Sequence, residues 1–427
     1  MAEPAVVPGP KNAWRLTPGV NPPWADQLKP DNPRKFFIVS CDNHVNEPPE
    51  IFDGIDAKYK SRIPTIKNDP DGTQWLITEG WAPQPIRIAT SRPDLMPPLE
   101  EYETWDLTNP FSNRMEDQDI YRSRCGRSIK QRIADRESQG IDAEIVFSTR
   151  GLLAFATPDV DFSIAMSRAW NRWALEHFKS DFQRSLPMAL VATGNVEEAI
   201  RDVQWAASNG FHGIMIPNRP IFHRVNEPKN PLEYNDKMFE SLWAAIAETG
   251  LPITLHVGTG QDPRAVRGNG GALTNFVCHA NSTTVEPIVQ LISSGVFERH
   301  PKLKAGTIES GVGWIPWVLN QLDHGYRAHH MWIRPVLPHL PSDYFKQNCF
   351  ATFMEEGTMV SHCLTLGLEN NMVWASDYPH PEGSFPHCAE SILRVLGEVP
   401  QAQAAKLLGG NAARIFNIEQ SALPPRQ

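Results

Sequence analysis

Eight short apolar runs punctuate the chain at Phe36–Ser40, Ala143–Ser148, Met188–Thr193, Gly213–Pro217, Ile253–Val257, Leu303–Glu309, Phe350–Met354 and Met372–Ser376. Runs of this length with little polar alternation suit strands covered on both faces, as in a parallel sheet wrapped by helices. Between them the apolar spacing lengthens to that of a helix. Residues 163–180 carry Met166, Trp170, Trp173 and Phe178, residues 196–208 carry Val196, Ile200, Val203 and Ala207, and residues 284–298 carry Val285, Ile288, Val289, Ile292 and Val296. Asn195 and the pair Asn281/Ser282 are expected N-terminal caps, and Gly210 and Gly250 expected stops. Strand and helix alternating eight times predict an α/β fold, a closed (β/α)8 TIM barrel, more readily than an open sheet.

Three segments fall outside that repeat: about 46–135 after the first strand, about 219–236 after the fourth and about 259–282 after the fifth. All follow strand ends on the face where barrel enzymes keep their sites, so they are expected to form a cap over a pocket. Surface elaboration or oligomer contacts are the alternative. Prolines at 4, 8, 10, 18, 22, 23, 30 and 33 make 1–35 an extended N-terminal arm. It would wrap a neighbouring subunit or lie on its own barrel. The expected division is thus the arm, a barrel over 36–418 with its insertion, and a C-terminal tail at 419–427.

Composition narrows the partners. A formal charge of -9 over 427 residues, without a basic stripe, argues against nucleic acid. No apolar stretch approaches the ~18 residues of a membrane span, and the first residues lack the basic start and apolar run of a secretory signal. The six cysteines are scattered, with no C-x-x-C pair, so a cytoplasmic, reducing compartment is expected.

The candidate chemistry lies at the strand ends. Positions two apart on a strand share a face, so Asp42 and His44 are expected to project together. His256 closes the fifth run, Glu309 the sixth, and Asp377 and His380 follow the eighth. Each alone is more often a hydrogen-bonding loop residue than a ligand. Several strands ending alike make a nitrogen and oxygen set suited to Zn2+, Mn2+ or Fe2+ with a position left open.

D-x-H-x-x-E-P at 42–48, LHVGTG at 255–260, GVFERHPKLK at 295–304, ESGVGWIPW at 309–317, SDYPHPEGSFP at 376–386 and GNAARIF at 410–416 together resemble the amidohydrolase-related family. This is the branch of the amidohydrolase superfamily that includes relatives of aminocarboxymuconate-semialdehyde decarboxylase and resorcylate decarboxylase. The resemblance runs from about 36 to 418. It implies the amidohydrolase form of the barrel, with Asp42, His44, His256 and Asp377 as metal ligands. Many members have His or Glu in place of Asp42, and some have a proton-transferring His where this chain has Glu309. Glu309 would be a general base or bind a second ion. Glu47 and His380 would complete a second site or orient His44 and Asp377.

The implied activity is that of a metal-dependent hydrolase or non-oxidative decarboxylase acting on a small carboxylate-bearing substrate, with Glu309 and Asp377 as the catalytic pair. Zn2+ or Mn2+ is the expected ion, with Fe as an alternative. The carboxylate count also allows a dinuclear iron or manganese oxygenase, and a structural or regulatory subunit is the non-catalytic alternative. Arg150 and Arg219 would pair with the substrate carboxylate or serve as structural ion-pair partners. Trp314 and Phe385 would wall the pocket or pack in the core. A homo-oligomer, or assembly with a related subunit, is expected.

Overall fold

The computed structural model describes residues 19–87, 126–220, 233–259, 270–329, 331–380 and 383–423. Parts of the arm, of all three insertions and of the C-terminal tail lie outside them.

The strands are β1 (Val39–Val45), β2 (Thr65–Asn68), β3 (Gln74–Ile77), β4 (Gln84–Arg87), β5 (Ala143–Ser148), β6 (Ser185–Pro187), β7 (Ala189–Leu190), β8 (Ile214–Met215), β9 (Ile253–His256), β10 (Ala305–Ile308), β11 (Cys349–Phe353) and β12 (Met372–Trp374). β2 to β4 form a separate antiparallel sheet within the insertion after β1. The others pair in parallel around a ring. β1 pairs with β5 and β5 with β6. At Met188 the chain changes neighbour, its N–H bonding back to Val146 while Ala189 bonds forward to Gly213. The order then runs β7, β8, β9, β10, β11, β12. A parallel bridge between Asn43 and Tyr378 returns from the β12 end to β1 and closes the barrel.

Outside lie α1 (Ile129–Ser138), α2 (Val160–His177), α3 (Val196–Ser208), α4 (Glu240–Thr249), α5 (Ser282–Ser293), α6 (Trp314–Ala328), α7 (Pro341–Asn348), α8 (Gly357–Thr365) and α9 (Cys388–Leu396). Their starts follow local chemistry. Asn195 accepts from the Glu198 N–H, and Gly250 ends α4 at φ 72°, a conformation that costs a residue with a side chain more than glycine. The cap expected at Asn281 is absent. Residues 271–281 are already helical and Asn281 itself has helical angles, so no free end exists there to cap. Along β9 to β12 alternate residues serve two cores. Ile253, Leu255, Ala305, Ala351 and Trp374 face the helices, whereas Ile308, Phe350 and Val373 join Met188 and Met215 in the second cluster.

The described end of the arm lies on its own barrel. Trp24 is buried against Phe36, and its indole N–H donates to the Val399 carbonyl at 3.0 Å. No described helix is long and apolar enough to cross a membrane. Trp24→Ala removes a buried indole, a change that costs about 3–5 kcal/mol in cores. Limited proteolysis is expected to cut between residues 19 and 36 at least tenfold faster in that variant, and an unchanged rate would refute the docking.

Candidate metal centre

β1 and β5 are not in simple register. Ser40 faces Glu144 but Asn43 faces Val146, so β1 carries one extra residue around Cys41 and Asp42. Such a bulge re-aims side chains, and here Asp42 and His44 both reach the inside of the centre. His256 is the last residue of β9. Glu309 and Asp377 follow the ends of β10 and β12 with φ of 59° and 54°, a left-handed conformation that non-glycine residues seldom adopt. Their backbones are pinned there: the Glu309 N–H donates to Thr352 Oγ1 at 2.9 Å and the Asp377 N–H to the Asp42 carbonyl at 2.8 Å. Strain held in this way concentrates at functional sites.

Two imidazoles meet inside. His44 Nδ1 lies 3.2 Å from the Ser148 carbonyl and His256 Nδ1 lies 2.8 Å from the Val257 carbonyl. A carbonyl only accepts, so each Nδ1 carries a hydrogen, and in the neutral ring each Nε2 presents a lone pair. Those Nε2 atoms are 3.1 Å apart, and each is 3.4 Å from Asp42 Oδ1. Asp377 Oδ1 is 3.8 Å from His44 Nε2. One possible ligand atom each from Asp42, His44, His256 and Glu309 lies within 4.8 Å of the others, and a second such group joins His44, Asp377 and His380; lone pairs and carboxylates crowded in this way favour a cation between them. Burial, followed by the nearby His380, pushes His44 down to about 3, so its lone pair is available. Burial would lower His256, but Asp42, joined by Glu309 and the Val257 carbonyl, raises it. Burial would lift Asp42, yet the two imidazoles hold it well below the usual carboxylate range. Two nitrogens and two oxygens fit a divalent transition ion.

The other expected residues divide. Glu309 stands at the rim, Oε2 3.7 Å from His256 Nδ1, with about a quarter of its side chain exposed (24%). Its carboxyl is raised to about 8 by burial, against His256 and reinforced by Asp377 and Asp42. His380 stacks on His44 at 4.1 Å and sets Nδ1 3.0 Å from Asp377 Oδ1. Glu47 joins neither group of candidate ligands. Its carboxylate accepts from the backbone N–H groups of Thr149, Arg150 and Gly151 at 3.1, 2.7 and 3.2 Å, fixing the loop after β5. A carboxylate committed to three amides has its lone pairs in use there.

Arg219 donates to Glu286 on α5 at 2.8 Å, the structural role weighed for it. The partly buried Arg150 contributes its backbone N–H to Glu47. Trp314 begins α6, donates to the Gly311 carbonyl and meets Phe345 of α7 edge-on, so it packs between helices rather than walling a pocket. Phe385 packs edge-on against Tyr378.

Sequence reasoning missed the residues that hold the ligands' backbone. Asn218 donates to the His256 carbonyl at 3.0 Å, as does Thr259 Oγ1 at 2.8 Å. Arg132 donates to the His44 carbonyl at 2.8 Å and pairs with Glu144. A signal for Glu144 was present: it is the one charged residue in the apolar run of β5, and a buried charge needs a partner.

A family model described as amidohydrolase matches residues 132–418. Among solved structures, the chain is similar to an amidohydrolase from Mycobacterium avium subsp. paratuberculosis, with TM-score 0.69 and 20% identity over 91% of this chain and 99% of that one. It is also similar to a 5-carboxyvanillate decarboxylase from Sphingomonas paucimobilis, with TM-score 0.60 and 20% identity over 90% and 100% of the two chains. A dihydroxybenzoic acid decarboxylase from a Polaromonas species, with bound manganese and the inhibitor 2-nitroresorcinol, gives TM-score 0.59 and 16% identity over 90% and 97%. At these identities the likeness concerns the fold, a parallel barrel wrapped by helices. The family match spans well over half of the sequence, and the chain belongs to the amidohydrolase family.

Proposed function

We propose that the chain is a metal-dependent enzyme that removes CO2, without oxidation, from a small hydroxylated aromatic carboxylic acid. The observation that carries this reading is the facing pair of Nε2 atoms, 3.1 Å apart beside the Asp42 carboxylate. Asp42, His44, His256 and Asp377 would hold the ion. When bound, a divalent ion supplies positive charge that orients substrate oxygens and draws electron density from the reacting carbon. Manganese is the favoured choice, supported by the manganese in the Polaromonas decarboxylase.

The chain's own residues supply the proton. Glu309 stands beside His256, partly open to solvent. As the bond from ring carbon to carboxylate breaks, CO2 leaves and the electron pair stays on that carbon. Glu309 gives it a proton and is reprotonated from water. Asp377, next to His380, is the second candidate for the transfer.

The insertion after β1 is the proposed cover. Arg62 pairs with Asp159 at the start of α2 at 2.8 Å, and Thr157 donates to Glu79 at 2.7 Å, so the described part is fastened beside the loop after β5. Self-association is part of the same reading. It is supported by the exposed Met331, Trp332 and Val336, which follow one another closely after α6, since grouped apolar exposure marks contact faces.

The deciding experiment incubates Mn2+-loaded protein with a panel of hydroxybenzoic acids, following CO2 and O2 together. CO2 release without O2 uptake is expected. Hydrolysis products without CO2 would favour the hydrolase reading, and O2 consumption with two irons bound would favour the oxygenase. Elemental analysis is expected to find about one ion per chain. Glu47→Gln should leave that stoichiometry unchanged, because its carboxylate serves the backbone of residues 149–151; loss of an ion would make Glu47 a ligand. Glu309→Gln should keep the ion and lower kcat by about 10²–10⁴-fold, the usual range for a lost proton carrier. Wild-type turnover would remove Glu309 from the reaction.

A further inference from the structure

We infer that Arg132, Glu144 and Asn43, packed beneath α1 on the helix-facing side of the barrel wall, are positioning residues that set Asp42 and His44 against Asp377. The inference rests on the metal-centre reading above.

β1 and β12 supply three of the four ligands, yet little ladder joins them. The backbone contacts are His44 N–H to the Tyr378 carbonyl at 2.6 Å and Asp377 N–H to the Asp42 carbonyl at 2.8 Å, around the single Asn43–Tyr378 bridge. Asn43 lies between the two β1 ligands, and its side chain works on the opposite face from theirs. Its Oδ1 accepts from Ser40 Oγ and Ser376 Oγ at 2.7 Å and from the Tyr378 N–H at 3.3 Å, which ties β1 to the loop carrying Asp377. Its Nδ2 donates to Glu144 on β5. Arg132 closes the set: Nε and Nη2 grip Glu144 at 2.6 and 2.9 Å, and Nη1 donates to the carbonyls of His44 and Gly126 at 2.8 and 2.9 Å. Ser185 and Arg136 also bond to Glu144.

Arg132, Glu144 and Asn43 are each 1 to 2% exposed. An apolar cluster of equal volume often stabilises a fold as well as a buried ion pair does. What it lacks is direction. The fork of Arg132 and the amide of Asn43 fix the relative height of three backbone segments, and ligand sites lose affinity when misplaced by about 0.5 Å. The outer face of the wall thereby sets the geometry of the inner one.

The test uses the full chain and two buried amides. Asn43→Ala removes the tie across the seam. Asn371→Ala is the control: Asn371 is also buried, and it donates to the carbonyls of Phe345, Lys346 and Cys349 away from the ligands. Mn2+ affinity is measured by chelator competition, coordination by the visible spectrum of the Co2+-substituted protein, and folding by melting of the metal-stripped form. Asn43→Ala is expected to weaken Mn2+ by about 10–100-fold, the usual effect of losing support behind a ligand, and to shift the Co2+ bands. Asn371→Ala is expected to lower the melting temperature while leaving both metal readouts at wild-type values. Wild-type affinity and spectrum in Asn43→Ala would overturn the inference, as would equal losses in the two variants. If Asn43→Ala does not fold, Ser376→Ala, which removes one donor to Asn43, is expected to shift the same readouts less, and no shift would overturn the inference. A wild-type protein that binds neither ion overturns the metal-centre reading, and the inference with it.

Discussion

Closure of the barrel between its first and last strands is the constraint on which the rest depends. β1 and β12 come from opposite ends of the barrel sequence and meet at a single bridge, Asn43 to Tyr378. Ligands stand on both sides of that seam. Without it, Asp42 and His44 would be one group and Asp377 another. The two backbone hydrogen bonds there do double work, since one of them also fixes the left-handed turn at Asp377. Closure and site geometry are therefore one problem with one solution.

The centre opposes the fold that carries it. Lone pairs and carboxylates are driven together in a space that water does not reach, which costs free energy until a cation is present. Asp42, His44, His256 and Asp377 are each no more than 2% exposed. Glu309 and Asp377 add positive-φ backbone, worth of order 1–3 kcal/mol each. Those costs are offset by the packed apolar cores around the ring, where Trp170, Trp243 and Trp374 are fully buried. A large core under a strained rim is how an enzyme can afford an unfavourable constellation.

Much of this was legible in the chain, and the remainder has physical reasons for being hidden. The apolar runs marked the strands because a wall buried on both faces leaves no room for polar alternation; Ile253–His256 and Ala143–Ser148 fall within or on their expected bounds. The third strand begins at Ser185 rather than Met188, since Arg184 and Ser185 are drawn into the polar group around Asp181 and Glu144 and conceal its start. The nearness of Asp42, His44, His256 and Asp377 could be expected because strand ends on one face of a barrel converge. The bulge in β1 was not legible, because it is a matter of register between strands a hundred residues apart. The commitment of Glu47 to backbone amides and of Arg219 to Glu286 escaped for the same reason: spacing along a chain does not say which neighbour a charge will meet.

The seam has a further consequence, for the order in which the molecule is made. Asp42 and His44 leave the ribosome more than three hundred residues before Asp377 and the Tyr378 that closes on Asn43. Domains assemble from the N-terminal end during synthesis, so the half-built barrel spends most of its translation with an open edge at β1. Ser40 and Asn43 give that strand polar side chains on one face. The groups that meet across the seam thus come together only after the strands between them have been made.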